Sequence, residues 1–189
     1  KTLLEWIGDP DPIVRRDAAM SFGLVDPTTE SMKALSHSLQ DSDIYVLRAS
    51  ALSLATLGRK EGIPQLIESL KFPSIDTIEY YDQELVKELA FFCGTDFSGD
   101  MRYDYTTWKR WWDTNGDKID LNQNLIIKKR IEGAFAKEDG HQGLVILDNL
   151  LTEYPENKVI KSRYKKYCQE WITYKLLTRK HINRDTLKK

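Results

Sequence analysis

The stretch Asp9-Pro-Asp-Pro-Ile-Val-Arg-Arg-Asp-Ala-Ala-Met-Ser-Phe22 recurs at an offset of 32 residues as Asp41-Ser-Asp-Ile-Tyr-Val-Leu-Arg-Ala-Ser-Ala-Leu-Ser-Leu54. Both copies keep an Asp-x-Asp turn, a valine, an arginine and an apolar run. A repeat of this length is typical of stacked helical hairpins, in which no unit buries its apolar face alone. This stretch therefore predicts a helical repeat array.

A second apolar stripe follows each copy at spacings of three and four, which is one face of a helix. The two stripes are Met32, Leu35, Leu39 and Ile63, Leu66, Leu70. Asp11 with Pro12, and Asp43, predict the starts of the two first helices, and Gly58 predicts the end of the second of them. A third, degraded hairpin is predicted to start at the capping box Asp76-x-x-Glu79 and to end its first helix at Gly94.

The Asp-x-Asp-x-x-Val-x-Arg turn and the Ala- and Leu-rich helix after it resemble the HEAT repeat in its short bacterial form, over residues 3–70. This resemblance implies a right-handed solenoid whose second helices line a concave face. It also implies that the recurring Asp and Arg residues, Arg16 and Arg48 among them, form ladders between adjacent units. Short HEAT repeats of this kind also occur in phycobilin lyases, where they shape a chromophore site.

Trp108, Trp111 and Trp112 share one helix face. Aromatic stripes at this spacing are usually core, so we predict a lid over the exposed end of the array. The alternative is an aromatic platform for a ligand. The pattern Gly-x-Asp-Phe followed by Trp-x-x-Trp-Trp resembles a tail found after many bacterial HEAT arrays.

The apolar pattern restarts after Gly116, with three further helices marked by Ile131, Leu147 and Ile160 among others. Residues 140–157 resemble the second half of a tetratricopeptide repeat. The predicted fold is therefore all-α, an α-solenoid of stacked HEAT-like hairpins followed by a small tetratricopeptide-like unit. The predicted domains are residues 1–112, a linker at 113–120, and residues 121–189.

Charge is distributed unevenly although the whole chain carries a net charge of −1. Residues 158–189 have a net charge of +9 and residues 1–157 a net charge of −10. At 100° per residue, the last helix places its apolar residues on one side and its basic residues on the other. The basic residues are Lys158, Lys161, Lys165, Lys166, Arg179 and Lys180.

The motifs that could carry chemistry are incomplete. Asp113-Thr-Asn-Gly-Asp-Lys-Ile-Asp120 resembles the start of an EF-hand calcium loop, but Lys118 stands where a glycine is needed and Asn124 where a glutamate is needed. The two cysteines lack zinc-site spacing. Three acids at spacings of four lack a histidine partner: Asp96, Asp100 and Asp104. We predict no catalytic residue, no metal and no cofactor.

No apolar run approaches the length of roughly 20 residues that a membrane-spanning helix needs. Because Lys1 is not a start methionine, we expect a fragment or a processed chain.

These patterns predict a non-catalytic scaffold for protein–protein interaction, with an acidic protein partner favoured. The predicted contact residues lie on the second helices and on the basic helix: Lys33, His37, Gln65, Glu68, Lys71, Lys161, Lys165 and Lys166. Two alternatives stay open. The basic helix could bind nucleic acid, which the acidic repeats disfavour, or the chain could be a subunit of a lyase-type enzyme.

Overall fold

The computed structural model describes residues 2–72, 79–97, 99–137 and 140–186, and these ranges hold ten α-helices and no strand. The all-α prediction is confirmed. The helices are α1 (Leu3–Trp6), α2 (Pro12–Phe22), α3 (Thr29–Ser38), α4 (Ile44–Thr56), α5 (Gly62–Ser69), α6 (Glu79–Cys93), α7 (Tyr105–Asn115), α8 (Leu121–Phe135), α9 (Gly140–Glu153) and α10 (Lys158–Thr186). Two 3₁₀ turns, Gly99–Arg102 and Gly116–Lys118, flank α7.

The chain divides into two compact units, residues 1–125 and residues 126–189. The division falls inside α8 because the first turn of that helix is held by the first unit. There the Asn124 side-chain amide donates to the Phe92 carbonyl at 2.8 Å. The predicted boundaries differ from this division and stay a prediction. The segment 113–120 holds the end of α7, a 3₁₀ turn and the residues that lead into α8.

The predicted helix starts and stops are confirmed where the structure describes them. The Asp11 carboxylate accepts the Ile13 amide at 2.9 Å, and Asp43 accepts two first-turn amides of α4. Gly58 and Gly94 adopt φ angles of 80° and 64°, which favour glycine because other side chains clash there. The predicted capping box at residues 76–79 begins at Asp76, which lies outside the described residues.

Small residues let the hairpins stack closely. Helix α4 packs on α2 on one side and on α5 on the other. The Ser53 hydroxyl donates to the buried Ala19 carbonyl at 2.8 Å, so the two first helices are joined by a hydrogen bond as well as by packing. A Cβ atom at Gly62 would lie 2.2 Å from the Ala51 carbonyl oxygen. The Ala- and Ser-rich sequence of the first helices therefore sets how near the helices approach.

The predicted arginine ladder is wrong at Arg16. The Arg16 guanidinium bonds its own neighbour Asp17 at the surface and joins no other unit in the described part of the chain. The ladder is made instead by Arg15, whose guanidinium binds both oxygens of Asp41 at 2.8 and 2.9 Å and also donates to two carbonyls in the turn before α2. Arg15 points along the stack, whereas Arg16 lies one helix step, 100°, away.

Arg48 holds the second hairpin together from within. Its buried guanidinium donates to the Ser69 hydroxyl at 3.1 Å and to the carbonyls of Ser69 and Phe72 at 2.9 Å each. Ser69 is the last residue of α5, where helix carbonyls lack partners within the helix, and Phe72 follows three residues later. Arg48 thus ties α4 to α5. Arg16 occupies the equivalent position one repeat earlier, but its described contact is with Asp17 and not with a second helix.

The Arg15–Asp41 pair is expected to make stability depend on pH. The Arg15 guanidinium holds the pKa of the Asp41 carboxyl below its ordinary value of about 3.9. A group with a lowered pKa in the folded state stabilises the fold above its unfolded pKa and loses that contribution as the pH falls. Wild type should therefore lose stability on acidification below about pH 5, and Asp41→Asn should flatten the pH profile. Urea denaturation across this range measures the difference. A profile unchanged by Asp41→Asn would contradict it.

Helix α7 packs on α5, as the second helix of a third hairpin would. Trp108 is completely buried, its ring lies edge-on to Phe97 at 4.8 Å, and its indole N–H donates to the Arg102 carbonyl at 2.7 Å. Trp111 and Trp112 are half-buried, and the ring of Trp112 covers Gly116. Of the three, Trp108 is therefore the main core residue.

The second unit is a three-helix arrangement. Helices α8 and α9 supply the buried residues Ile131 and Leu147, and α10 packs on α9. Tyr167 of α10 lies edge-on to Phe135 at 5.0 Å, and its hydroxyl occupies the space that a Cβ atom at Gly143 would fill. Tyr167 on the apolar side of α10 therefore packs against both α8 and α9. The tetratricopeptide-like assignment stays a prediction.

Candidate partner-binding surfaces

Two predicted contact residues, Lys33 and His37, are exposed on α3. They lie on the outer side because Leu35 and Ser38 of the same helix are buried. Lys33 makes no hydrogen bond or ion pair within the part of the chain that the structure describes. Its ammonium group is therefore free to meet a partner.

A groove beside Lys33 was not predicted from the sequence. It has a volume of about 660 Å³ and lies between the turn that precedes α3 and the turn that follows α4. Its lining residues are Pro27, Thr28, Thr29, Met32, Lys33, Ser36, Leu57 and Arg59. Arg59 stands in a loop with no periodic pattern, so only the folded chain brings it to Lys33. We name this site the edge groove.

Three further predicted contact residues lie in α5 or just after it, and two of them contact α7. The Tyr105 hydroxyl donates to the Glu68 carboxylate at 2.8 Å, and the Lys71 ammonium lies over the Tyr105 ring at 4.2 Å. Lys71 also pairs with Glu68, and these hydrogen bonds hold the Glu68 pKa below its ordinary value. Gln65 is half-buried. Glu68 and Lys71 therefore serve the packing of α7, and their role in binding stays a prediction.

The basic side of α10 is exposed where the structure describes its side chains. Lys158, Lys161, Lys165 and Lys166 are exposed, whereas Ile160 on the other side is completely buried. Lys166 lies 3.6 Å from Glu170 in a surface ion pair. The side chains of Arg179 and Lys180, predicted for the same face, lie outside the described residues. The described part is named the lysine face.

The acids of the calcium-like segment serve helix ends and surface pairs. Asp113 accepts both of its short contacts, at 2.5 and 2.6 Å, from Lys109 one turn earlier. Asp120 caps α8 through the Gln123 amide at 3.0 Å. Lys118 lies in the 3₁₀ turn between them. The segment therefore consists of the end of one helix, a 3₁₀ turn and the residues that lead into the next helix. It does not form the sharp loop of a calcium site.

Two of the spaced acids also have structural partners. Asp104 caps α7 by accepting the Thr107 hydroxyl at 2.5 Å and the Thr107 amide at 2.7 Å, and these hydrogen bonds lower the Asp104 pKa. Asp96 lies 3.5 Å from the Arg102 guanidinium. The side chain of Asp100 lies outside the described residues. Among the described residues, no three His, Cys, Asp or Glu side chains stand close enough to hold a metal ion.

Cys93 is a buried thiol at the end of α6. Burial raises its pKa well above the ordinary value, because a thiolate would lose its hydration there. A thiol in this state is a poor nucleophile, since the thiolate is the reactive form. Cys93 therefore acts as an apolar core residue.

The comparisons with known proteins agree with the hairpin stack. The family model of HEAT repeats matches residues 1–78. No curated protein and no solved structure matches this chain. The chain has an all-α, HEAT-like repeat fold. HEAT repeats commonly mediate protein–protein interaction and are generally non-catalytic scaffolds. Within the described ranges, each helix is too short or too polar to cross a lipid bilayer.

Proposed function

We propose that this chain is a non-catalytic scaffold that binds an acidic protein partner. The lysine face of α10 is the observation that carries the proposal. Four exposed ammonium groups project from a helix whose opposite side is anchored by Ile160 and Tyr167. A rigid helix presents its charges in a constant arrangement, which favours one register of a partner over others.

The charge pattern supports a protein partner over a nucleic acid. A phosphate backbone recruits many Lys and Arg residues along one track. Outside the carboxyl-terminal segment, residues 1–157 have a net charge of −10, which repels phosphate. A protein whose acidic residues form one patch has to meet only the lysine face.

The hairpin stack supports a scaffold over an enzyme. Asp104 and Asp120 cap helices, Asp113 pairs with a neighbouring lysine, and the Cys93 thiol is buried. HEAT repeats commonly mediate protein–protein interaction, and stacked hairpins provide extended surfaces for it.

Charge reversal on α10 tests the proposal. We expect Lys161→Glu/Lys165→Glu/Lys166→Glu to melt like wild type, because these side chains are exposed. The triple variant should lose at least about tenfold of its affinity for the partner captured from an extract of the source cells by cross-linking. Wild-type affinity should weaken as salt rises above about 0.15 M, because screening shortens the range of charge attraction.

The control is a second triple reversal on other exposed lysines, Lys118→Glu/Lys129→Glu/Lys137→Glu, which changes the net charge equally. It should keep most of the wild-type affinity. An equal loss of affinity in both variants would show that binding depends on net charge and not on the lysine face, and would contradict the proposal. Unchanged capture by the α10 variant at low salt would contradict the proposal. Saturable binding of labelled DNA or RNA that only the α10 variant loses would favour the nucleic-acid alternative.

A further inference from the structure

The edge groove carries positive groups and no carboxylate among its lining residues. Lys33 and Arg59 supply the charge, Met32 and Leu57 supply apolar surface, and hydroxyl groups complete the lining. The groove has a volume of about 660 Å³ and is shallow and open to solvent. A groove of this size suits a short extended segment and not a folded surface.

The polar groups of the edge groove have spare hydrogen-bonding capacity. Within the described structure, Lys33 and the hydroxyls of Thr29 and Ser36 make no hydrogen bond to other protein groups. Arg59 pairs with Glu61 at 3.0 Å, but both side chains are about half exposed, at 55% and 40%. Exposed pairs of this kind contribute little free energy, so a better-placed carboxylate can replace Glu61.

The start of α3 also favours a carboxylate as the ligand of the edge groove. Thr28 caps the helix through the Ser31 amide at 3.1 Å, and Thr28 and Thr29 both line the groove. The amino-terminal end of a helix carries a partial positive charge, which attracts carboxylates. Two side-chain cations and this helix end therefore act on the same space.

We infer that the edge groove binds an acidic segment of the partner protein. One apolar side chain of the segment packs on Met32 and Leu57, and flanking carboxylates accept hydrogen bonds from Lys33 and Arg59. Charge-assisted hydrogen bonds of this kind are about twice as strong as neutral ones. Two cations are too few for a phosphate track, whereas they match one or two carboxylates. The inference rests on the proposed function and adds a second contact site, distant in sequence from the lysine face.

A random-peptide display library, panned against the full chain, tests the groove before the partner has been identified. Peptides enriched on wild type should carry Asp or Glu beside a single Leu, Ile, Val, Met or Phe. Synthetic copies should bind at least about tenfold more weakly to Lys33→Glu/Arg59→Glu. The matched control, Lys118→Glu/Arg110→Glu, reverses one exposed Lys and one exposed Arg elsewhere and should bind like wild type. Lys33→Gln/Arg59→Gln provides a milder variant if the double reversal melts early.

The amide signals of Thr28 to Ser36 should also shift in NMR spectra when the selected peptide is added. The inference is overturned if no peptide is enriched, if the enriched peptides lack acids, or if the Lys118/Arg110 control loses as much affinity as the groove variant. Enriched peptides that depend on Lys161, Lys165 and Lys166 would overturn the groove and leave the scaffold function standing. If Lys33→Glu/Arg59→Glu captures the partner as well as wild type does while the α10 variant loses it, the groove's part in binding that partner is overturned, because both sites are expected to contribute.

Discussion

Replacement of Trp108 by alanine is expected to lower the free energy of unfolding by about 3–5 kcal/mol, because truncating a buried aromatic leaves a cavity. Trp108 is completely buried, contacts Phe97 edge-on and satisfies the Arg102 carbonyl. The substitution removes the ring contact and also leaves that carbonyl without its donor. Thermal and urea denaturation, followed by circular dichroism, measure the loss.

Trp112→Ala serves as the matched comparison on the same helix. Trp112 is half-buried, so its truncation removes less contact area and should cost clearly less stability. Equal losses for Trp108 and Trp112 would contradict the assignment of Trp108 as the main core residue. Normal melting of Trp108→Ala together with lost partner binding would favour the aromatic-platform alternative over the lid.

The second large effect is expected at Arg48. Arg48→Ala should lower the free energy of unfolding by about 2–4 kcal/mol, because it removes a buried side chain together with its hydrogen bonds. These bonds join α4 to the Ser69 hydroxyl and to the carbonyls of Ser69 and Phe72. Arg48→Lys should recover little, since a single ammonium cannot reproduce the fork of the guanidinium. Chemical denaturation of both variants tests this.

Arg16→Ala is a control that the repeat itself supplies, since Arg16 occupies the equivalent position one unit earlier. Its guanidinium pairs with a neighbouring surface carboxylate, that of Asp17, and such pairs are worth about 0–1 kcal/mol. A loss at Arg16 as large as that at Arg48 would show that the two positions share a structural role, as their recurrence in the sequence suggests.

Much of the fold could be predicted from local signals. Asp11 and Asp43 are recognisable as caps, and Gly58 as a helix end, because these signals depend on neighbours within one turn. The apolar stripes predict the buried Leu35 and Leu66 for the same reason. The match to HEAT repeats over residues 1–78 agrees with that pattern.

The candidate surfaces could be predicted only in part. Helical periodicity places Lys33 and Lys161 on exposed faces correctly, since exposure along a helix follows from its own sequence. It also selects Glu68 and Lys71, but these residues meet Tyr105 of α7, 37 positions from Glu68. Helical periodicity predicts the direction in which a side chain points from its own helix. It does not predict which residue of another helix that side chain contacts.

The helices, their caps and the repeat that stacks them follow from the sequence alone, because each rests on contacts within a turn or on a period that recurs. It takes the folded chain to show that Arg15 and not Arg16 reaches Asp41, and that Arg59 comes to Lys33. These pairs join elements far apart in the chain, and their geometry depends on how closely α2, α4 and α5 approach. A Cβ atom at Gly23 or Gly62 would clash with α4, so these glycines set how closely the helices approach. Patterns of residue types do not give that distance to within about an ångström.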